Sequence, residues 1–158
     1  MAEIKSSEIQ QLITDMRKLN ETKEYGVGLA APQVGVPVAL SIIGIKPTPT
    51  RPAMQRVSMT IINPSYTGIG RRVGLWEGCQ SSGSGGNTLY GKALRFKRIH
   101  AVWHDEHAIK HQEQLEGFVA HVFQHEADHL HGILFMDRVR DTRTYMLATE
   151  FKKRILQA

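Results

Sequence analysis

Between residues 6 and 19 apolar side chains recur at Ile9, Leu12, Ile13, Met16 and Leu19, behind Ser and Glu residues suited to a first turn. This spacing predicts an amphipathic helix. In residues 26–45, GVGLAAPQVGVPVALSIIGI, glycines and two prolines interrupt an apolar stretch that ends in a β-rich run over 38–45. A shaped loop followed by a strand is expected. The three prolines of residues 46–56 predict a surface loop. Residues 57–63 resume as a buried strand closed by Asn63-Pro64, with another strand near Tyr66. SSGSGGN, residues 81–87, is too flexible for regular structure.

Residues 89–94 and 99–103 read as two strands, their ends blurred by intervening basic residues and by the His-rich stretch HDEHAIKH. Residues 115–131 read as a helix with Phe118, Val122, His125 and His129 along one face and Gly132 at its stop. Residues 141–156 predict a second amphipathic helix, with Tyr145, Leu147, Ala148, Phe151 and Ile155 as candidate buried positions. No repeat or linker interrupts the pattern, so residues 1–158 are expected to form one domain. The fold class is α+β: mostly antiparallel strands around a central helix, with the C-terminal helix packed outside.

Composition narrows the function. Apolar residues are 41% and charged residues 22% of the chain, and no apolar run approaches the roughly 20 residues of a membrane span. The first residues, MAEIKSSEIQ, resemble neither a secretory signal nor a transit peptide, so a cytoplasmic location is expected. The net charge of +5 can steer acidic partners such as ribosomal RNA. The basic run KALRFKR, residues 92–98, carries no nucleic-acid module signature, and DNA binding is not expected. A single cysteine closes no intramolecular disulfide, so Cys79 is a packing residue, a reactive thiol or a metal ligand.

His125-Glu126-Ala127-Asp128-His129 is an HExxH pattern. A helix turns about 100° per residue, so both imidazoles point one way and can grip one ion, with Glu126 beside it. Any His-rich helix can carry this spacing by chance, and eight histidines leave that alternative open. The shared face with Phe118 and Val122 argues for an ion, because two buried imidazoles without a partner cost roughly several kcal/mol. A catalytic site of this type needs a third protein ligand and an open position for water. Cys79, in Glu77-Gly78-Cys79-Gln80-Ser81, is the one thiol available, although a free cysteine is most often a small buried apolar residue.

Taken together, Gly26-Val27-Gly28-Leu29-Ala30-Ala31-Pro32-Gln33, residues 77–81 and Gln124-His125-Glu126-Ala127-Asp128-His129-Leu130 resemble the three motifs of peptide deformylase, in order. Asn63-Pro64 and the residues from Gly132 to Asp137 extend the resemblance. It implies one divalent ion held by Cys79, His125 and His129, natively ferrous iron, with zinc or nickel able to take its place after isolation. It implies Glu126 as general acid/base, Gln33 and the Gln80 backbone N–H as oxyanion donors, and Val27 and Gly28 beside the substrate backbone as an added strand. Arg95 matches a substrate-contacting arginine. His121, one turn before His125, is expected to line the pocket or find a polar partner.

The implied substrates are N-formylmethionyl nascent peptides, met near the ribosomal exit by a monomeric enzyme that releases formate. Three features depart from the family pattern: Gln80 stands for the usual Leu, the Gly/Ser loop replaces a Pro-containing segment, and the chain starts almost at its first helix. They keep open a hydrolase for another small acyl group, or an inactive metal- or ribosome-binding homologue. The presence of Glu126 and Gln33 argues against simple decay of the site.

Overall fold

The computed structural model describes residues 3–23 and 26–157. Helix α1 spans Ser7–Glu21 and opens at Ser6, whose hydroxyl accepts the Ile9 N–H at 3.3 Å. Five strands follow in spatial order as in sequence, all antiparallel: β1 (Gly28–Ala30), β2 (Leu40–Ile45), β3 (Val57–Gly78), β4 (Leu89–His104) and β5 (Lys110–Glu116). A two-residue strand β6 (Met146–Leu147) pairs with the start of β4. Helix α2 (Gly117–His129) leaves β5 at Gly117, which holds φ at 61° and turns the chain.

Alternation along the strands sends side chains to two layers. Ile43, Ile61, Ile99 and Trp103 pack with Ala120, Val122 and Phe123 of α2, while Leu40, Ile42 and Ile62 pack with Ile13 and Met16 of α1. The sheet therefore lies between the helices, with α2 on its own face. Among the described residues no helix is long and apolar enough to cross a membrane.

Three sequence expectations are corrected. Asn63-Pro64 does not close the third strand. Asn63 takes φ 50° and the register shifts by one residue between Ile62 and Ser65, so Pro64, which lacks an N–H, sits where the ladder skips. A second shift between Ile69 and Arg72 bends the same strand, with Gly70 at φ 78°. The two strands expected over 89–103 are one, because its β3 and β5 partners pair it across the basic residues.

Third, residues 141–147 are not helical. The Asp141 carboxylate accepts the Arg143 N–H and starts a 3-10 turn, and β6 then pairs with Leu89 and Tyr90. The helix begins only at Ala148 (α3, Ala148–Phe151) and widens over Lys152–Leu156. Of its candidate buried residues only Phe151 is buried, stacked on Tyr90 at 4.2 Å and edge-on to Trp76 at 5.3 Å. Leu147 and Ile155 face outward. The first expected helix of the second half is likewise trimmed, since Leu115 belongs to β5.

Candidate metal centre

Gln124 fixes the height of α2 on the sheet: its amide oxygen accepts the Phe96 N–H at 3.0 Å, and its nitrogen donates to the carbonyls of Phe96 and Ala120. The next turn aims His125 and His129 at the end of β3. Their Nε2 atoms lie 3.1 Å apart, and Cys79 Sγ lies 3.3 Å from His129 Nε2. Donors sharing one tetrahedral ion are separated by roughly 3.3–3.6 Å, given bonds of about 2.0–2.3 Å. The three side chains thus fit a single ion with a shift of a few tenths of an ångström.

Cys79 directly follows β3 and opens the 3-10 turn Gln80–Ser82. Its sulfur accepts the Ser81 N–H at 3.4 Å and a Gln33 amide N–H at 3.5 Å. Burial pushes the thiol up, but hydrogen bonds and charge from His125 and His129 outweigh it and bring its pKa down to about 5. At neutral pH the Cys79 sulfur is therefore a thiolate, the form a metal ion would require.

Glu77, two residues before Cys79, emerges from the structure as the partner of His125. Its Oε2 accepts His125 Nδ1–H at 2.8 Å, which leaves His125 Nε2 for an ion. Burial opposes its ionisation, yet hydrogen bonds from His121, His125 and Arg95 hold Glu77 well below the usual carboxylate range. Arg95 is a correction. The expected substrate contact is instead a buried clamp, 1% exposed, donating from Nε and Nη2 to Glu77 at 2.7 and 3.0 Å and from Nη1 to Asp128. It joins the end of β3 to α2, and Arg138 closes the far side with two hydrogen bonds to Asp128 at 2.8 and 2.9 Å. Nothing in the motif spacing marked Glu77, Arg95 or Asp128 as a set; only the β3–β4 register, which places Arg95 four residues from the partner of Glu77, does so.

Glu126 is 3% exposed and its Oε2 is buried without a hydrogen-bond partner among the described residues. Burial lifts its pKa to about 7, against the pull of His125 and His129. The carboxylate lies against Gly28, where a Cβ would collide with it. Gly28→Ala is therefore expected to cost about 1–3 kcal/mol, the range for overfilling a packed site. Urea denaturation checks this, and an unchanged midpoint would mean that Glu126 can swing away freely.

Gln33 is locked from both ends. Its Oε1 accepts the Ala30 N–H at 2.8 Å, and its Nε2 donates to Ser81 Oγ at 2.9 Å beside the thiolate. Gln80 starts the adjoining turn with its side chain exposed. β1 is the sheet's edge strand, with Val27 O accepting the Gly44 N–H at 2.9 Å on its inner side. A cleft of about 580 Å³ opens beside the first turns of α2, lined by Leu75, Lys97, Arg98, Phe118 and His121 among others.

The sequence pattern of the polypeptide deformylase family matches residues 1–145. The chain belongs to the peptide deformylase family. Peptide deformylase of Leptospira biflexa is 37% identical over 147 residues, which cover 91% of this chain and 79% of that protein. That of Aquifex aeolicus is 36% identical over 146 residues, 92% of this chain and 82% of the relative. Among solved structures, a Synechococcus elongatus peptide deformylase in complex with actinonin superposes with TM-score 0.73 at 31% identity, covering 88% of this chain and 69% of the other. A Met-Ala-Ser-bound class I type b peptide deformylase from Acinetobacter baumannii gives TM-score 0.75 at 28% identity, covering 85% and 82%. The chain is thus an enzyme of a metal-dependent family, a deformylase, and its Cys/His cluster is of the kind such an enzyme needs.

Proposed function

We propose that the chain removes the formyl group from N-formylmethionyl peptides, with Cys79, His125 and His129 holding one divalent ion, natively ferrous iron, for which zinc or nickel can substitute. The observation that carries this reading is the convergence of a thiolate and two imidazoles within 4.8 Å of one another, beside a buried Glu126 carboxyl oxygen that has no hydrogen-bond partner among the described residues. When bound, the ion supplies positive charge that lowers the pKa of water towards neutrality.

Glu126 takes a proton from the attacking water as its oxygen bonds to the formyl carbon. The carbonyl oxygen then gains negative charge, and donors aimed at that position are each worth roughly 3 kcal/mol. Gln33 Nε2–H, held beside Cys79, and the Gln80 backbone N–H serve as those donors. Glu126 returns its proton to the nitrogen as the C–N bond breaks, giving formate and a free amine. Val27 and the edge strand β1 offer main-chain hydrogen bonds to the peptide, a mode that accepts varied sequences beyond the first residue.

Anaerobically prepared protein loaded with iron or nickel is expected to release formate from formyl-Met-Ala-Ser, to lose that activity on chelation and to regain it on reloading. Acetyl-Met-Ala-Ser should be spared. Stoichiometric metal binding without formate release would sink the reading, and cleavage of the acetyl peptide instead would redirect it to another small acyl group.

A further inference from the structure

His121 precedes His125 by one helical turn and shares its face, so the helix presents three imidazoles at positions i, i+4 and i+8. Neighbouring turns can converge on one ion, but His121 and His129 are two turns apart, about 11 Å along the axis, more than one ion with bonds of about 2 Å can bridge. The structure accordingly groups only Cys79, His125 and His129 as donors. His121 turns elsewhere: it is 8% exposed and its Nε2 lies 2.7 Å from Glu77 Oε1.

A carboxylate accepts about four hydrogen bonds, two on each oxygen. Glu77 makes four. Arg95 Nε and His121 Nε2 share Oε1 at 2.7 Å each, while Arg95 Nη2 and His125 Nδ1 share Oε2 at 3.0 and 2.8 Å. Arg95 grips the carboxylate along its axis, and the two imidazoles flank it on either side. Remove His121 and the set becomes one-sided, with Oε1 left facing the cleft that His121 lines. Water entering from that cleft would compete for the carboxylate, and Glu77 would no longer be fixed with Oε2 aimed at His125.

We propose that His121 is a positioning residue of the metal centre, acting through Glu77 to hold the metal-ligating ring of His125. It touches neither the ion nor the reacting atoms. The inference rests on the metal-site reading above and adds to it a third imidazole that binds no metal yet controls how long metal stays. Direct partners of metal ligands are typically worth 10–100-fold in affinity. One bond further out, the effect falls to roughly 3–10-fold.

The test measures the rate at which the nickel-loaded protein loses its ion to a chelator, for wild type, His121→Leu and His121→Gln. Glutamine can place its amide nitrogen near the position of the imidazole Nε2 and donate to Glu77; leucine cannot donate. His121→Leu should release nickel about 3–10-fold faster, and His121→Gln should stay within about twofold of wild type. If His121→Leu does not fold, His121→Asn, whose amide is too short to reach Glu77, takes its place. Equal release rates for wild type and the non-donating variant would overturn the proposal. So would a glutamine variant as leaky as the leucine one, since ring packing rather than the hydrogen bond would then be responsible. A wild-type protein that takes up no nickel would overturn the metal-site reading itself, which separates the two failures.

Discussion

Glu126→Gln should lower kcat for formyl-Met-Ala-Ser by roughly 10²–10⁴-fold, the range general acid/base catalysis supplies, while leaving metal content unchanged. The substitution keeps the shape of a side chain that is 3% exposed and packed against Gly28. What it removes is the ability to take up and return a proton. Glutamine imitates the neutral carboxylic acid, a form already favoured by burial, which brings the pKa to about 7. Folding stability should therefore not fall. Formate release, metal content and a thermal melt on the same preparation check the three parts. A variant within tenfold of wild type would show that another group moves the proton. Loss of the ion along with activity would make Glu126 a structural support for the ligands instead.

Arg95→Leu should be the most destabilising single change near the site, at about 3 kcal/mol, the lower end of the cost of breaking a buried ion pair. Two carboxylates lose their shared cation inside the protein. The value stays at the lower end because Asp128 keeps Arg138 and Glu77 keeps both imidazoles. The pH dependence has a definite sign. Burial pushes Asp128 up, but Arg138 and Arg95 together hold it below its ordinary value, and Glu77 is held low as well. Carboxylates depressed in the folded state contribute stability above their unfolded pKa of about 4, and that contribution is lost as pH falls below it. The gap between wild type and Arg95→Leu should thus be widest near neutrality and narrow towards about pH 3. Urea denaturation at both pH values measures it, and a pH-independent gap would point to lost packing alone.

What the sequence made legible follows from how locally each feature is determined. His125 and His129 were readable because a helix fixes the relation between i and i+4 whatever surrounds it. Cys79, as the sole thiol, stayed open between packing residue, reactive thiol and metal ligand until the resemblance of residues 77–81 to the family's motif favoured the last. Arg95 was not: on a strand, burial depends on what packs across it, and an arginine within a basic run looks solvated until Glu77 and Asp128 are seen on either side. The same holds for the backbone. Asn63-Pro64 breaks a strand in isolation, whereas the pairing of β3 with β4 on both sides of the bulge carries the strand past it. The apolar periodicity of residues 141–156 promised a helix, but the open start of β4 claimed Met146 and Leu147 first. Local spacing had no access to that competition.

The three donors of the proposed metal centre differ in how far the chain must travel to unite them. His125 and His129 come together as soon as one helix forms, but Cys79 lies 50 residues from His129 and arrives only when the β3–β4 hairpin has closed and α2 has docked on it. Contacts that span so much chain form late in folding, after their loop-closure entropy has been overcome. A half-formed chain offers an ion two imidazoles and no thiolate. On the proposed ligand set, tight metal capture would therefore be a property of the finished fold, and an occupied centre would report that assembly is complete.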